Sequence, residues 1–275
     1  MRLAPITPII AVLLCCVQTK TQAQMWEFGV MAGGATYFGD LNPKFNLRFP
    51  SGGGNILLRR NFDGRICLKG AANFARVWAD DKKSPEVYQK ARNLSFHSNV
   101  LTGSFQIEFN FQPYHSTQLF KDKRATPYLT TGLGLTWFNP YANLQGGNYE
   151  LRAMGTEGQP PGSEYKTVAP SWAIGGGFKF DLGRNRNWSF NIEIMAQLLF
   201  TDYLDDVHGT YADVRVVEGH HGTAAALLSD RSIEISETRL GGVGRQRGNS
   251  KDRDMYMTAN IGFVYRFLSL SCPAY

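Results

Sequence analysis

The residues best equipped for chemistry in this chain crowd into one stretch: Asp202-Tyr203-Leu204-Asp205-Asp206, with His208 close behind and His220-His221 further along. Carboxylates and imidazoles at short spacing act as metal ligands or acid–base pairs when a fold aims them at one point. The carboxylates here do not follow the spaced pattern of a calcium loop, and two adjacent histidines project in different directions. Gly241-Gly242-Val243-Gly244 is not followed by Lys and Ser or Thr, so it lacks the residues of a phosphate-binding loop. No serine, histidine and acid stand together in a nucleophile motif. An enzyme drawn from this stretch would need its carboxylates and histidines to converge at one rim, with Asp205 and His208 essential. The expectation is a non-enzymatic chain without metal or cofactor, in which these side chains make loop contacts and cap turns.

Thiols are the other reactive groups. Cys15 and Cys16 lie in a leader with Arg2 at its start, an apolar run from Ile9 to Val17 and a cleavage-like Thr21-Gln22-Ala23. Residues 1–23 therefore read as a signal peptide, with 24–275 as one mature domain. That domain keeps Cys67 and Cys272, candidates for a disulfide with each other or with a partner in an oxidising compartment. A buried free thiol at Cys67 and an unpaired one at Cys272 is the competing reading.

The elements that must position these groups are strands. From Met255 to Phe267 the odd positions are Met, Met, Ala, Ile, Phe, Tyr and Phe, while Thr258, Asn260, Gly262 and Arg266 occupy even ones. A period of two with one wholly apolar face belongs to a strand with different surroundings on its two sides. Residues 188–201 and 101–111 repeat the pattern. With weaker stretches added, strands are expected at 25–38, 51–62, 66–79, 95–111, 126–138, 171–181, 188–201 and 255–268. A tilted membrane strand needs roughly 9 to 11 residues, which these runs supply without approaching a membrane helix. Short connections at 61–65, 112–125 and 182–187 alternate with long ones at 39–50, 80–94, 139–170 and 202–254. The pattern predicts an all-β, antiparallel eight-stranded transmembrane β-barrel in an outer membrane, its termini and short turns periplasmic and its long loops extracellular.

Side-chain placement extends the reading. Trp26, Trp78, Trp137, Trp172 and Trp188 fall at predicted strand ends, where indole meets a membrane interface. The apolar parity turns Glu27, Glu108, Glu193, Lys69, Lys179 and Arg266 inward, where pairing would offset the cost of burying charge. A barrel of about eight strands is filled by its own side chains, which disfavours an open pore. The net charge of +6 is scattered, so nucleic acid is not an expected partner, whereas lipid is.

Beyond the strands, short islands recur in order along the chain. They include Tyr37-Phe38-Gly39-Asp40-Leu41-Asn42-Pro43, Arg92-Asn93-Leu94-Ser95-Phe96, Asn110-Phe111 with Pro113-Tyr114, and Tyr149-Glu150-Leu151 with Gly155-Thr156-Glu157-Gly158-Gln159. Others are Phe200 to Val207, Gly209-Thr210-Tyr211, Leu228-Ser229-Asp230-Arg231-Ser232, Gln246-Arg247-Gly248-Asn249-Ser250 and Cys272-Pro273. Together they resemble the PorG-type outer-membrane barrel of the type IX (Por) secretion system of Bacteroidota. Met255-Tyr256, in place of an aromatic pair, and the basic insertion from Arg239 to Arg245 depart from that pattern.

The resemblance implies a secretion subunit that anchors a periplasmic ring, formed by a PorK-like lipoprotein and its PorN-like partner, to the outer membrane. The tail from Ser271 to Tyr275 and the short turns would make the contact. The alternative is a stand-alone small barrel with a structural or adhesive role. Gly39, Asp40, Asp202, Asp205, Asp206, Asp230, Arg231, Arg247, Gly248 and Asn249 are the candidate loop-signature residues. Asp202, Asp205, Asp206 and Asp230 lie in the same outer segment as Arg231, Arg239, Arg245 and Arg247. Ion pairs and aspartate-capped turns among them would hold loop 202–254 as an ordered plug or lid.

Overall fold

A computed structural model describes residues 25–44, 47–62, 64–114, 124–183 and 186–267. The proposed leader, Cys272 and the tail from Ser271 lie outside the described residues. Nine strands run in chain order: β1 Met25–Phe38, β2 Ser51–Asn61, β3 Ile66–Asp80, β4 Ser95–Asn110, β5 Ala125–Leu144, β6 Gly147–Glu150, β7 Val168–Leu182, β8 Trp188–Leu199 and β9 Met255–Phe267. Every pairing is antiparallel. Because β4 pairs with β5 and β1 with β9, eight of the strands close on themselves and only β6 stands outside the ring. Closure removes the unpaired edges that an open sheet would expose.

The eight expected strands are the eight of the barrel, but two are longer than the alternation indicated. β5 runs past 138 to Leu144 and turns back into β6 through Gln145 and Gly146, with φ of 51° and 85°. Two consecutive positive-φ residues make the tight hairpin turn whose twist matches its strands. The segment 139–170, expected to be a loop, thus begins with a hairpin that extends the barrel wall outward. Trp137 and Trp172 consequently lie inside β5 and β7 and not at their ends. Among the described residues four α-helices punctuate the long connections: α1 Val87–Arg92, α2 Leu151–Met154, α3 Val214–His221 and α4 Thr223–Ser229.

Burial is inverted relative to a water-soluble protein. The outward residues are apolar and exposed: Phe74, Leu101, Phe105, Ile107, Leu129, Leu133, Ile194, Ile261 and Phe263 among them, with Phe105 at 84%. Inward positions alternate with them and are buried, polar and often charged. An apolar belt of this extent is stable only against lipid or another apolar surface. Cations lie over aromatic rings toward both ends of the strands: Arg60 over Trp26 at 5.5 Å near the short turns, Lys83 over Trp78 at 4.4 Å and Arg253 over Phe200 at 4.9 Å near the long loops. Such aromatic and basic pairs suit the two interfaces of a bilayer. Among the described residues no helix is long and apolar enough to cross a membrane.

Candidate functional site

The barrel interior is filled in tiers. Nearest the short turns lies an ion lattice. Arg59 bridges Glu27 at 2.6 Å and Glu108 at 2.9 Å, Lys69 meets Glu193 at 2.5 Å, and Lys179 contacts Glu108. Arg266 joins Glu27 at 3.0 Å and Asp181 at 3.4 Å, and Tyr128 donates to Glu193 at 2.7 Å. All six charged residues expected to face inward do so, and they pair as anticipated. Arg59 and Asp181 were not foreseen. Arg59 stands beside Arg60, so alternation of residue type is blind there; Arg59 turns into the lumen and Arg60 lies over Trp26.

Room for the lattice comes partly from Gly177. A side chain there would meet the Ile192 carbonyl oxygen at 2.0 Å and the Tyr128 hydroxyl at 2.9 Å. Above the lattice sits a tier of amides and hydroxyls, in which Thr102 hydrogen-bonds Thr136 at 2.9 Å and Tyr256 at 2.6 Å. The tier nearest the long loops is apolar: Val100, Phe138 and Leu199 of the wall pack with Leu204, Val207 and Leu228 of the loops. The mouth is sealed by loop side chains, which fits the expectation of a filled barrel.

Cys67 is a free thiol buried at the level of the lattice, with its Sγ 2.7 Å from Asn61 Oδ1 and accepting from Asn110 Nδ2 at 3.4 Å. Its place on the inner face of β3 takes it away from any partner outside the barrel. The suggested partner-linking role is therefore corrected for this residue, and the buried free thiol is what the structure holds.

The loop cap is where the scattered islands meet. Asp205 and Asp254, near the two ends of the long loop, both contact the Tyr37 hydroxyl, at 2.5 and 3.0 Å. Their remaining oxygens accept backbone N–H groups, Val207 on Asp205 at 2.9 Å and Leu204 on Asp254 at 2.9 Å. Asp40 accepts the Asn249 amide, and its own carbonyl accepts Arg92 at 3.2 Å and Gln89 at 3.0 Å. Arg92 forms a fork with Asp81 at 2.8 and 3.0 Å and donates to the Arg247 carbonyl at 2.8 Å. Arg247 in turn reaches Glu157 at 3.1 Å, Asp206 at 3.6 Å and the Ser229 carbonyl at 3.3 Å. Planar, multiply bonded guanidinium groups of this kind hold separate segments in one register.

Two glycines of the islands have a steric reason. A Cβ on Gly39 would lie 2.0 Å from the Tyr37 hydroxyl and 2.1 Å from Asp254 Oδ1. One on Gly248 would lie 2.6 Å from Asp40 Oδ2 and 2.8 Å from Val207 Cγ1.

The expected pairing of the loop acids and bases is met in part. Among those named, Asp206 pairs with Arg247. Asp230 caps a turn, accepting Ser232 N at 3.0 Å and Gly241 N at 3.0 Å, while Arg231 pairs with Glu234 at 2.8 Å and reaches Ser95 at 2.9 Å. Arg245 donates to the Leu240 carbonyl at 3.1 Å. Asp202 lies 2.9 Å from His208 Nδ1. Tyr37, Asp40, Asp81, Arg92, Glu157 and Asp254 are cap residues to which sequence reading assigned no pairing; only their nearness in space reveals it.

Crowding of acids gives the cap its electrostatic character. Burial, with Asp254 and Asp40 nearby, holds the Asp205 carboxyl well above the ordinary value of 3.8, and burial with Asp202 does the same for Asp254. Burial and Asp205 push Asp202 up to about 9. Burial pushes Asp206 up to about 6 against the pull of Arg247. The Tyr37 hydroxyl carries one proton, so it cannot donate to both carboxylates at once; a shared carboxyl proton completes the second contact. Asp202, Asp205, Asp206 and His208 do gather at one rim, but the carboxylates are buried. Among the described residues no group of three or more His, Cys, Asp or Glu is placed to hold a metal ion. The arrangement is suited to fixing loops.

A closed antiparallel barrel with a lipid-compatible exterior, a salt-bridged interior and a knitted outer cap defines the class: a small membrane-type β-barrel, plugged by its own residues. The chain belongs to the family described as a domain of unknown function, DUF6089, whose model matches residues 7–154. Solved structures of similar fold include Neisserial surface protein A, at 9% identity over 88% of this chain and 97% of that one, TM-score 0.42. The attachment invasion locus protein Ail of Yersinia pestis is 11% identical over 90% and 100%, TM-score 0.41, and OprG of Pseudomonas aeruginosa is 10% identical over 90% and 96%, TM-score 0.40. A comparison with curated proteins finds none that matches.

Proposed function

We propose that this chain is an outer-membrane subunit of the type IX protein secretion machinery, a non-enzymatic barrel that ties a periplasmic ring of a PorK-like lipoprotein and a PorN-like partner to the membrane. The observation that carries the reading is the convergence of the ordered islands. Gly39-Asp40, Arg92, Glu157, Asp205-Asp206 and Arg247-Gly248-Asn249 are far apart in sequence and meet in one cap. Residues that resemble a family signature and also build a single structural unit support common construction and not coincidence.

A barrel sealed at its mouth and cross-linked by ion pairs within serves as an anchor better than as a conduit. In this reading the long loops face outward. The short turns 61–65, 112–125 and 182–187, with the tail from Ser271, would face the periplasm and meet the ring. Because Cys67 is buried, any covalent link to the ring would run through Cys272.

The test is isolation of the tagged protein from outer membranes in mild detergent, with and without reductant, and identification of what accompanies it. Recovery of a lipoprotein and a periplasmic ring protein, lost on deleting the tail or in Cys272→Ser, is the expected result. A barrel that purifies alone in every condition would favour the stand-alone structural or adhesive role.

A further inference from the structure

Across β3, β4 and β5 the apolar belt stops abruptly on the loop side. Outward positions pass from Phe74 to Arg76 on β3, from Leu101 to Asn99 and His97 on β4, and from Trp137 to Asn139 and Tyr141 on β5. At that boundary the wall holds a groove of about 730 Å³, floored by Arg76, Trp78 and His97 and overhung by Asn143 and Asn148 from the β5–β6 hairpin. Among the described residues Arg76 has no carboxylate within ion-pair distance. Lys83 does not line the groove, but its ammonium lies over the ring of Trp78, which does, at 4.4 Å. The one carboxylate on the groove wall, Asp80, is turned to accept the Lys82 amide at 2.9 Å.

Cations at the edge of an apolar belt, beside an indole and under a polar overhang, match a molecule that is apolar below and anionic above. A guanidinium with no carboxylate partner among the described residues is suited to a phosphate oxygen pair. Among the described residues β6 is the one strand outside the ring, and its hairpin with β5 supplies Asn143 and Asn148 to the groove.

We propose that this groove binds the phosphate headgroup of a lipid in the leaflet on the loop side, with Arg76 and His97 facing the phosphate and Trp78 flanking the start of the acyl chains. The proposal rests on the reading of the chain as a membrane-embedded barrel. It adds a specific lipid contact to that reading.

The experiment uses the folded mature chain in phosphatidylcholine nanodiscs containing either bisphosphorylated lipid A or its dephosphorylated form. Native mass spectrometry counts the lipid retained, and the difference in gel mobility between unheated and boiled protein reports the folded, inserted barrel separately. Retention of the phosphorylated lipid alone is expected, falling about tenfold or more in Arg76→Gln/His97→Gln and unchanged in Arg60→Gln at the opposite rim. Equal retention of the two lipids, no loss in the double variant, or displacement by inorganic phosphate would each overturn the lipid site while leaving the membrane reading intact. A wild-type chain that never inserts would remove both, and the gel shows that independently of the lipid count.

Discussion

Asp205 and Asp254 meet across the neck of the long loop on a single hydroxyl, that of Tyr37, at 2.5 and 3.0 Å. The contact joins both ends of the loop to β1. It also makes the loop closure depend on a proton.

A pH dependence follows from that geometry. The folded carboxyls of Asp205, Asp254 and Asp202 titrate above their ordinary value of 3.8, Asp202 at about 9. A raised folded pKa gives stability that is complete below the unfolded pKa and is lost as pH rises through the folded one. The cap should therefore loosen progressively as pH rises from the ordinary carboxyl value of 3.8 toward about 9, where Asp202 titrates, while the barrel persists. Hydrogen exchange of residues 200–254, corrected for the intrinsic rate, should accelerate with pH in the wild type and respond less in Asp254→Asn. Unchanged protection across the range would contradict the shared-proton account.

Gly39→Ala and Gly248→Ala place a methyl group within 2.0 to 2.6 Å of Tyr37 or Asp40 atoms. Overpacking of this kind costs about 1–3 kcal/mol. Both variants should keep the folded mobility of the barrel but expose the long loop to limited proteolysis. Resistance equal to wild type would show that the cap yields at no cost.

Removal of Arg59 leaves the buried carboxylates of Glu27 and Glu108 facing each other's field. Breaking a buried pair from one side costs about 3–5 kcal/mol. Arg59→Met should lower the denaturant midpoint sharply, and Arg59→Met combined with Glu108→Gln should recover part of the loss. Thermal or urea unfolding in detergent measures both.

Leu133 lies opposite Phe105 and Trp172 on the outer face and is exposed. If that face meets lipid, Leu133→Arg should cost about 2–4 kcal/mol of folding into bilayers. Folding into vesicles should suffer far more than solubility of the unfolded chain in urea. Normal insertion would argue against a lipid-facing belt.

Cys67 should not react with a maleimide in the folded protein and should react after denaturation, since its thiol is enclosed by Asn61 and Asn110 inside the barrel. The measurement belongs in a Cys15→Ser/Cys16→Ser/Cys272→Ser background, where Cys67 is the one remaining thiol. Labelling at the unfolded rate would place Cys67 elsewhere.

The sequence by itself determined the strands, their inner and outer faces and the alternation of short and long connections. Period-two patterning is a local property, and each residue carries its own preference for lipid or lumen, as Phe263 and Asn260 show. It also located the cap residues as islands, though without saying that they touch. Only the tertiary structure decided which charges pair. Closure of the ring turned Arg59 inward and brought Lys69 of β3 to Glu193 of β8, partners on strands that are not neighbours. The extra length of β5 was hidden because its outer half pairs with β4 and β6 above the apolar belt, where no alternation of lipid against lumen marks the sequence. The convergence of Tyr37, Asp40, Arg92, Glu157, Asp205, Arg247 and Asp254 was likewise invisible in the chain. Hydrogen bonds between loops depend on distances that the folded barrel alone sets.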